Sequence, residues 1–164
     1  MKIAVFPGSF DPITRGHMDI IARASLLFDK VYVCTMRNGE KKNPMFTPEQ
    51  RQTMLELCTA DYENVCAECW TGLLTDYAMS RGAHYLVKGV RNETDFSVEY
   101  ALAQINRSIE PAIETVFLPA KPEYIHISST MAREMIRYGQ PIERYIPEKA
   151  ADYLKGREEL WQKM

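Results

Sequence analysis

Cysteine is scarce in this 164-residue chain: there are four, Cys34, Cys58, Cys66 and Cys69, and only Cys66 and Cys69 make a CxxC. A thiolate zinc site wants a second such pair or nearby histidines, so the spacing argues against a metal centre. A thioredoxin-like pair sits between a strand and a helix, whereas this one lies inside NVCAECW, which reads as a short strand. Half-buried small side chains are the preferred reading, a redox pair the alternative. Long apolar runs are also missing. None approaches the roughly 20 residues of a membrane span, and MKIAVFPGSF carries no extended apolar stretch after its lysine, so no signal peptide is expected. The chain is therefore expected in the cytoplasm, with reduced thiols and no membrane partner. Basic excess is lacking too: 20 Lys and Arg face 22 Asp and Glu, a net charge of −2. That argues against bulk nucleic-acid binding but leaves room for a local basic pocket. Finally, neither G-x-x-x-x-G-K-[ST] nor G-x-G-x-x-G occurs, so neither the P-loop nor the dinucleotide fingerprint is present.

What is present is an alternation of apolar strand-like runs with amphipathic segments. Residues 2–6, 31–36, 64–70, 84–89 and 114–119 read as strands. After the first, HMDIIARASLLF carries Ile20, Ala24 and Leu27 at helical spacing, predicting a helix that opens near Gly16 and His17. Thr47, Pro48 and Gln50 form a capping box with proline at the first helical position. Gly82 is a natural helix terminator. Further on, Val98, Leu102, Ile105 and Ile109 step by four, three and four along another helix. A short helix is expected over roughly 129–138, and a last one from near Pro147 with Ala150, Leu154 and Trp161 as its inward stripe. Strands alternating with helices imply right-handed crossovers. The expected fold is α/β: a single-domain, Rossmann-like, doubly wound sheet of about five parallel strands, helices on both faces, spanning 1–164. At this length roughly 70% of the unfolded surface is buried, so no disulfide staple is needed.

Ligands of such sheets bind at the carboxyl ends of the strands. Four informative loops fall there: 8–17, 37–46, 88–91 and the stretch PAKPEYIHISST after the fifth strand. In GSFDPITRGH, Gly8 and Gly16 permit backbone shapes that a Cβ resists, and the following helix start offers spare N–H groups and its dipole to an anion. Arg37, Lys41, Lys42, Lys88 and Arg91 gather on the same rim. Arg recognises phosphate with a planar fork and Lys as a point charge. Lys41 reads as a solvated loop lysine. Lys88 and Arg91 bracket Gly-Val directly after a strand, so their heads should project over the sheet edge. Of the three histidines, His84 looks structural, His126 lies in a polar loop, and His17 is placed to donate to a phosphoryl oxygen. Ser128, Ser129 and Thr130 precede a helical run and suit an N-cap, a phosphate contact, or both.

Four blocks in order, covering nearly the whole chain, resemble the bacterial phosphopantetheine adenylyltransferases of the nucleotidyltransferase superfamily. GSFDPITRGH is similar to the family's G-[ST]-F-D-P-[IV]-T-x-G-H, with Thr14, Gly16 and His17 as its T-x-G-H element; KNPMF resembles the loop that supplies a lysine, here Lys42; KGVRNETDFSVEYALAQINR and ISSTMARE resemble two further family blocks. The resemblance implies transfer of the adenylyl group of ATP to 4′-phosphopantetheine with Mg²⁺, giving dephospho-coenzyme A and pyrophosphate. It implies that Ser9, Phe10, His17, Gly89, Val90, Arg91 and Glu99 contact ATP, together with Tyr124, Ile125, His126, Ile127, Ser128, Ser129 and Thr130. Ser9, Lys42, Leu74 and Lys88 would serve the acceptor, with His17 and Lys42 as the catalytic pair. A homohexamer is implied as well. One departure stands out: Lys88 occupies a position where most members have arginine, which keeps the charge and loses the fork.

The chemistry needs neither a general base nor a covalent relay. A phosphate monoester has a second pKa near 6, so it is already largely anionic at neutral pH. One in-line displacement at the α-phosphorus suffices, and positioning with charge stabilisation is the enzyme's task. Mg²⁺ is expected to bridge phosphates with few protein ligands, Asp11 and Asp95 remaining candidates. Three alternatives stay open: a sibling enzyme using nicotinate mononucleotide or glycerol phosphate, a non-catalytic nucleotide-binding regulator, and a thiol redox protein.

Overall fold

The computed structural model describes residues 1–37 and 44–160. Five strands run β1 (Ile3–Gly8), β2 (Lys30–Met36), β3 (Val65–Trp70), β4 (Tyr85–Val90) and β5 (Glu114–Pro119). All pair in parallel, in the order β3-β2-β1-β4-β5. The order reverses between β1 and β4, and that switch opens a crevice at the carboxyl edge. The helices are α1 (Arg15–Leu27), α2 (Pro48–Thr59), α3 (Leu74–Ser80), α4 (Glu93–Ile109), α5 (Ser129–Arg137) and α6 (Glu148–Leu154).

Alternation along the buried strands makes two cores. Ala4, Phe6, Val31, Val33 and Val87 face α1, α2 and α6, burying Ile20, Ile21, Met54, Leu55 and Leu154. Val5, Cys34 and Leu86 face the other way, where Tyr77, Ala78 and Ile113 cover them. Deep burial pushes the Cys34 thiol up to about 12 and the Cys58 thiol up to about 11, so both are inert apolar filling. Cys66 pairs across β2 with Tyr32 and Cys69 with Thr35. Positions three apart on a strand point to opposite faces, so the CxxC cannot close on itself here.

Capping follows the sequence closely. Thr47 and Gln50 exchange both hydrogen bonds of a capping box, with Pro48 at the first helical position. Gly82 takes φ +63° after α3. Other expectations need correcting. The first helix begins at Arg15, not at His17, because Thr14 is its cap. Leu27 is exposed, and Ile21 takes its place in the core. Neither Gly8 nor Gly16 has positive φ; Phe10 does, at 45°. Gly8 is needed for space instead, since a Cβ there would stand 2.9 Å from the Phe10 ring. On α4 the row Val98, Leu102, Ile105 and Ile109 is exposed, and only Ala103 is fully buried. Ala150 and Leu154 are buried as expected; Trp161 lies outside the described residues.

Candidate active site

At the switch point, the ends of β1 and β4, the start of α1, the first turns of α4 and the segment leading into α5 enclose a cavity of about 500 Å³. Gly89 lets α1 come close to β4 beneath it, since a Cβ would stand 2.9 Å from Ile20 Cγ1.

The α1 wall is built from Thr14 and His17. Thr14 Oγ1 accepts the His17 N–H at 3.2 Å, and His17 Nδ1 accepts the Thr14 N–H at 3.0 Å. The ring nitrogen, standing where a glutamate or glutamine stands in the usual capping box, thus satisfies a backbone donor. With Nδ1 an acceptor, the neutral ring carries its hydrogen on Nε2. Phe10 meets the imidazole edge-on at 5.0 Å and Phe6 lies beside it at 6.2 Å, so the ring's orientation is fixed by packing as well.

The β4–α4 wall carries charge in pairs. Arg91 holds Asp95 by Nε–Oδ2 at 2.7 Å and Nη2–Oδ1 at 3.2 Å, and reaches the Ile127 carbonyl at 3.5 Å. Those guanidinium hydrogen bonds hold the Asp95 carboxyl below its ordinary range. Lys88 Nζ stands 3.0 Å from Glu99 Oε2. The third wall is the start of α5, where Ser128 caps Met131 N–H and Ser129 Oγ donates to the Pro12 carbonyl. Arg133, one turn into α5, donates to the Asp11 carbonyl at 2.7 Å and lies 3.7 Å from its carboxylate.

Of the residues singled out from the sequence, Ser9, His17, Lys88, Gly89, Arg91, Glu99, Tyr124, Ile127, Ser128, Ser129 and Thr130 line this one cavity. Phe10 is buried behind it and supports His17. Val90, Ile125 and His126 are outside its lining, and Leu74 packs on the opposite face of the sheet. Arg37 turns away, pairing with Glu49 and Cys69. Lys41 and Lys42 lie outside the described residues. Sequence reading passed over Arg133, although the arginine of ISSTMARE was its signal, and over Thr94 and Val98, whose types carry none.

Asp11 and Asp95 are engaged elsewhere. Asp11 accepts the Met45 and Phe46 N–H groups at 3.0 and 2.9 Å, and Asp95 is held by Arg91. Among the described residues no group of three His, Cys, Asp or Glu side chains is placed to hold a metal ion. Nor is any helix there long and apolar enough to cross a membrane.

The profile of the cytidylyltransferase-like family matches residues 5–135. A phosphopantetheine adenylyltransferase of Limosilactobacillus reuteri is 45% identical over 157 residues, covering 96% of this chain and 90% of its own. Those of Synechococcus sp. strain JA-3-3Ab and Alkaliphilus metalliredigens are 44% and 43% identical, covering 94% and 90% of this chain and 97% and 94% of theirs. A crystal structure from Vibrio parahaemolyticus, described as a nicotinate-nucleotide adenylyltransferase, superposes with a TM-score of 0.75 over 100% of this chain and 98% of that one. At 21% identity, that likeness concerns the fold. The chain belongs to the cytidylyltransferase-like nucleotidyltransferases and, within them, to the phosphopantetheine adenylyltransferase family.

Proposed function

We propose that this protein transfers the adenylyl group of ATP to 4′-phosphopantetheine, releasing pyrophosphate and forming dephospho-coenzyme A, in the cytoplasm. The observation that carries the reading is the convergence on one cavity of a tautomer-fixed histidine, two cations from the end of β4 and the starts of α1 and α5. The acceptor phosphate attacks the α-phosphorus in line with the departing pyrophosphate; one P–O bond forms as another breaks, and no covalent enzyme intermediate is needed. His17 Nε2–H donates to the charge growing on the α-phosphate, with Lys42 as its companion. Ser128, Ser129, Thr130 and the α5 start take the nucleotide's phosphates. Mg²⁺ bound with the triphosphate would neutralise phosphate charge; of the carboxylates nearby, Asp11 is held by the Met45 and Phe46 N–H groups and Asp95 by Arg91.

A homohexamer belongs to the same reading. The exposed apolar row of α4, Val98, Leu102, Ile105 and Ile109, is the surface that supports it, because an apolar face of this length marks a docking site. Light scattering is expected to give six times the chain mass; a monomer would overturn it. The activity test offers ATP with 4′-phosphopantetheine, nicotinate mononucleotide or glycerol phosphate in separate chromatographic assays. Turnover is expected with the first alone, and turnover with another acceptor alone would overturn the reading.

A further inference from the structure

The cations over the end of β4 are not waiting unpaired. Both face carboxylates one turn apart on α4, Asp95 and Glu99, but the two pairs are built differently. Arg91 is clamped by two guanidinium hydrogen bonds to Asp95, by its own N–H to the same carboxylate at 3.3 Å, and by the Ile127 carbonyl. Lys88 approaches Glu99 at a single point, 3.0 Å away. That contact is an ion pair by distance alone. Among the described residues no other donor reaches the buried Glu99 Oε2. Lys88 and Glu99 both line the cavity, with side chains only 16% and 26% exposed.

A carboxylate on the wall of a phosphate site is a cost unless it has a task, since it repels the ligand across a poorly screened gap. A buried carboxylate oxygen held, among the described residues, by nothing but one ammonium is a second cost. Both are explained if the pair is built to separate. We infer that Glu99 is the resident counter-ion of Lys88, and that a phosphate monoester takes the Lys88 ammonium from it on binding. The inference rests on Lys88 belonging to the acceptor site. Lysine suits the exchange: an ammonium on a four-carbon stem turns from one oxygen to another with no two-pronged contact to break. Arg91 keeps its partner and remains a fixed wall.

The exchange makes Glu99 a specificity-determining residue. A ligand must outbid a carboxylate for Lys88, which a dianion does more readily than a monoanion, so selectivity comes from the competing group as well as from the attractive one. Glu99→Gln removes the competitor at nearly constant volume. A purely structural role would predict weaker ligand binding in the variant; the exchange predicts tighter binding.

Isothermal titration of the full chain with methyl phosphate and methyl sulfate at pH 8, without nucleotide, tests this. Glu99→Gln is expected to bind methyl phosphate roughly three- to tenfold more tightly than wild type, and to discriminate less against methyl sulfate. Glu99→Asp, which withdraws the carboxylate by one methylene, is expected to tighten methyl phosphate binding less. Thermal melts confirm that each variant is folded, and should Glu99→Gln fail to fold, Glu99→Asp carries the test. Unchanged or weaker methyl phosphate binding in the folded variants overturns the exchange. A parallel titration with 4′-phosphopantetheine separates the two readings: Glu99-dependent binding of methyl phosphate with none of phosphopantetheine would leave the exchange standing and remove the proposed acceptor.

Discussion

Two of the cavity's three walls are prepared in opposite ways. On the β1–α1 wall the polar atoms of Thr14 and His17 satisfy each other and the backbone within three residues, and aromatic rings pack the imidazole in place. Nothing there must move for His17 to act. On the β4–α4 wall the cations are held by side-chain carboxylates, Arg91 by Asp95 and Lys88 by Glu99. A donor fixed by backbone geometry costs no reorganisation when charge develops in the transition state. Arg91 stays with its partner, whereas a lysine held by a carboxylate at one point, as Lys88 is by Glu99, must change partners before it can serve a ligand. Under the proposed function, the first wall serves the chemical step and the second the choice and binding of substrates.

The sharpest way to break this contrast is His17→Ala. If the α1 wall serves the chemical step, kcat for adenylyl transfer falls on the order of 10²–10³-fold, the usual cost of one transition-state donor. The dissociation constant for ATP, measured separately by titration, is expected to stay within a few-fold. A loss of ATP affinity as large as the loss of rate would make the α1 wall a binding wall and erase the distinction.

Thr14→Val asks a finer question of the same wall. It removes the cap oxygen and keeps the volume. The Thr14 N–H bond to Nδ1 is a backbone bond and survives, so the tautomer is retained, while the cap on the His17 N–H and the Oγ1–Nδ1 contact at 3.1 Å are lost. Loss of an N-cap costs about 1 kcal/mol of stability; a loosened imidazole that raises the barrier by a similar amount lowers kcat roughly fivefold. Thr14→Ser should restore both. A Thr14→Val enzyme with full activity would mean that packing by Phe6 and Phe10 alone orients the imidazole.

The contrast also separates what the sequence discloses from what it hides. Thr47-Pro48-Gln50 and Gly82 were legible because caps and terminators act within four residues. The central strands β1 and β2 were legible because burial on both faces leaves nearly continuous apolar runs. His17 was legible as a rim residue, but its place in a capping box was not, because a histidine at that position has no reputation as a capping side chain and only geometry shows Nδ1 accepting. Arg37 looked like a fourth rim cation, yet β2 lies away from the switch point and its end carries Arg37 toward Glu49. The α4 row shows the limit of periodicity: it reveals that one face avoids water, not what covers it. Lys88 and Glu99 stand eleven positions apart on different elements, so their pairing exists only once β4 and α4 are folded together.

The smallest expected effect is on stability in acid, and it concerns the β4–α4 wall alone. The Arg91 hydrogen bonds hold the Asp95 carboxyl below its ordinary range in the folded state. A group whose folded pKa is depressed adds stability above its unfolded pKa, about 3.9 for aspartate, and that contribution is lost as pH falls through the folded value. Wild type should therefore be slightly more stable than Asp95→Asn at pH 7, and the difference should shrink as pH drops below about 4. The effect is modest because both side chains keep contact with water, Arg91 at 34% and Asp95 at 27% exposure. Urea midpoints of the two proteins at pH 7 and near pH 3 measure it directly. A deficit for Asp95→Asn that did not change with pH would mean that Arg91 is held by shape and the Ile127 carbonyl rather than by charge, and the two walls would then be alike in kind.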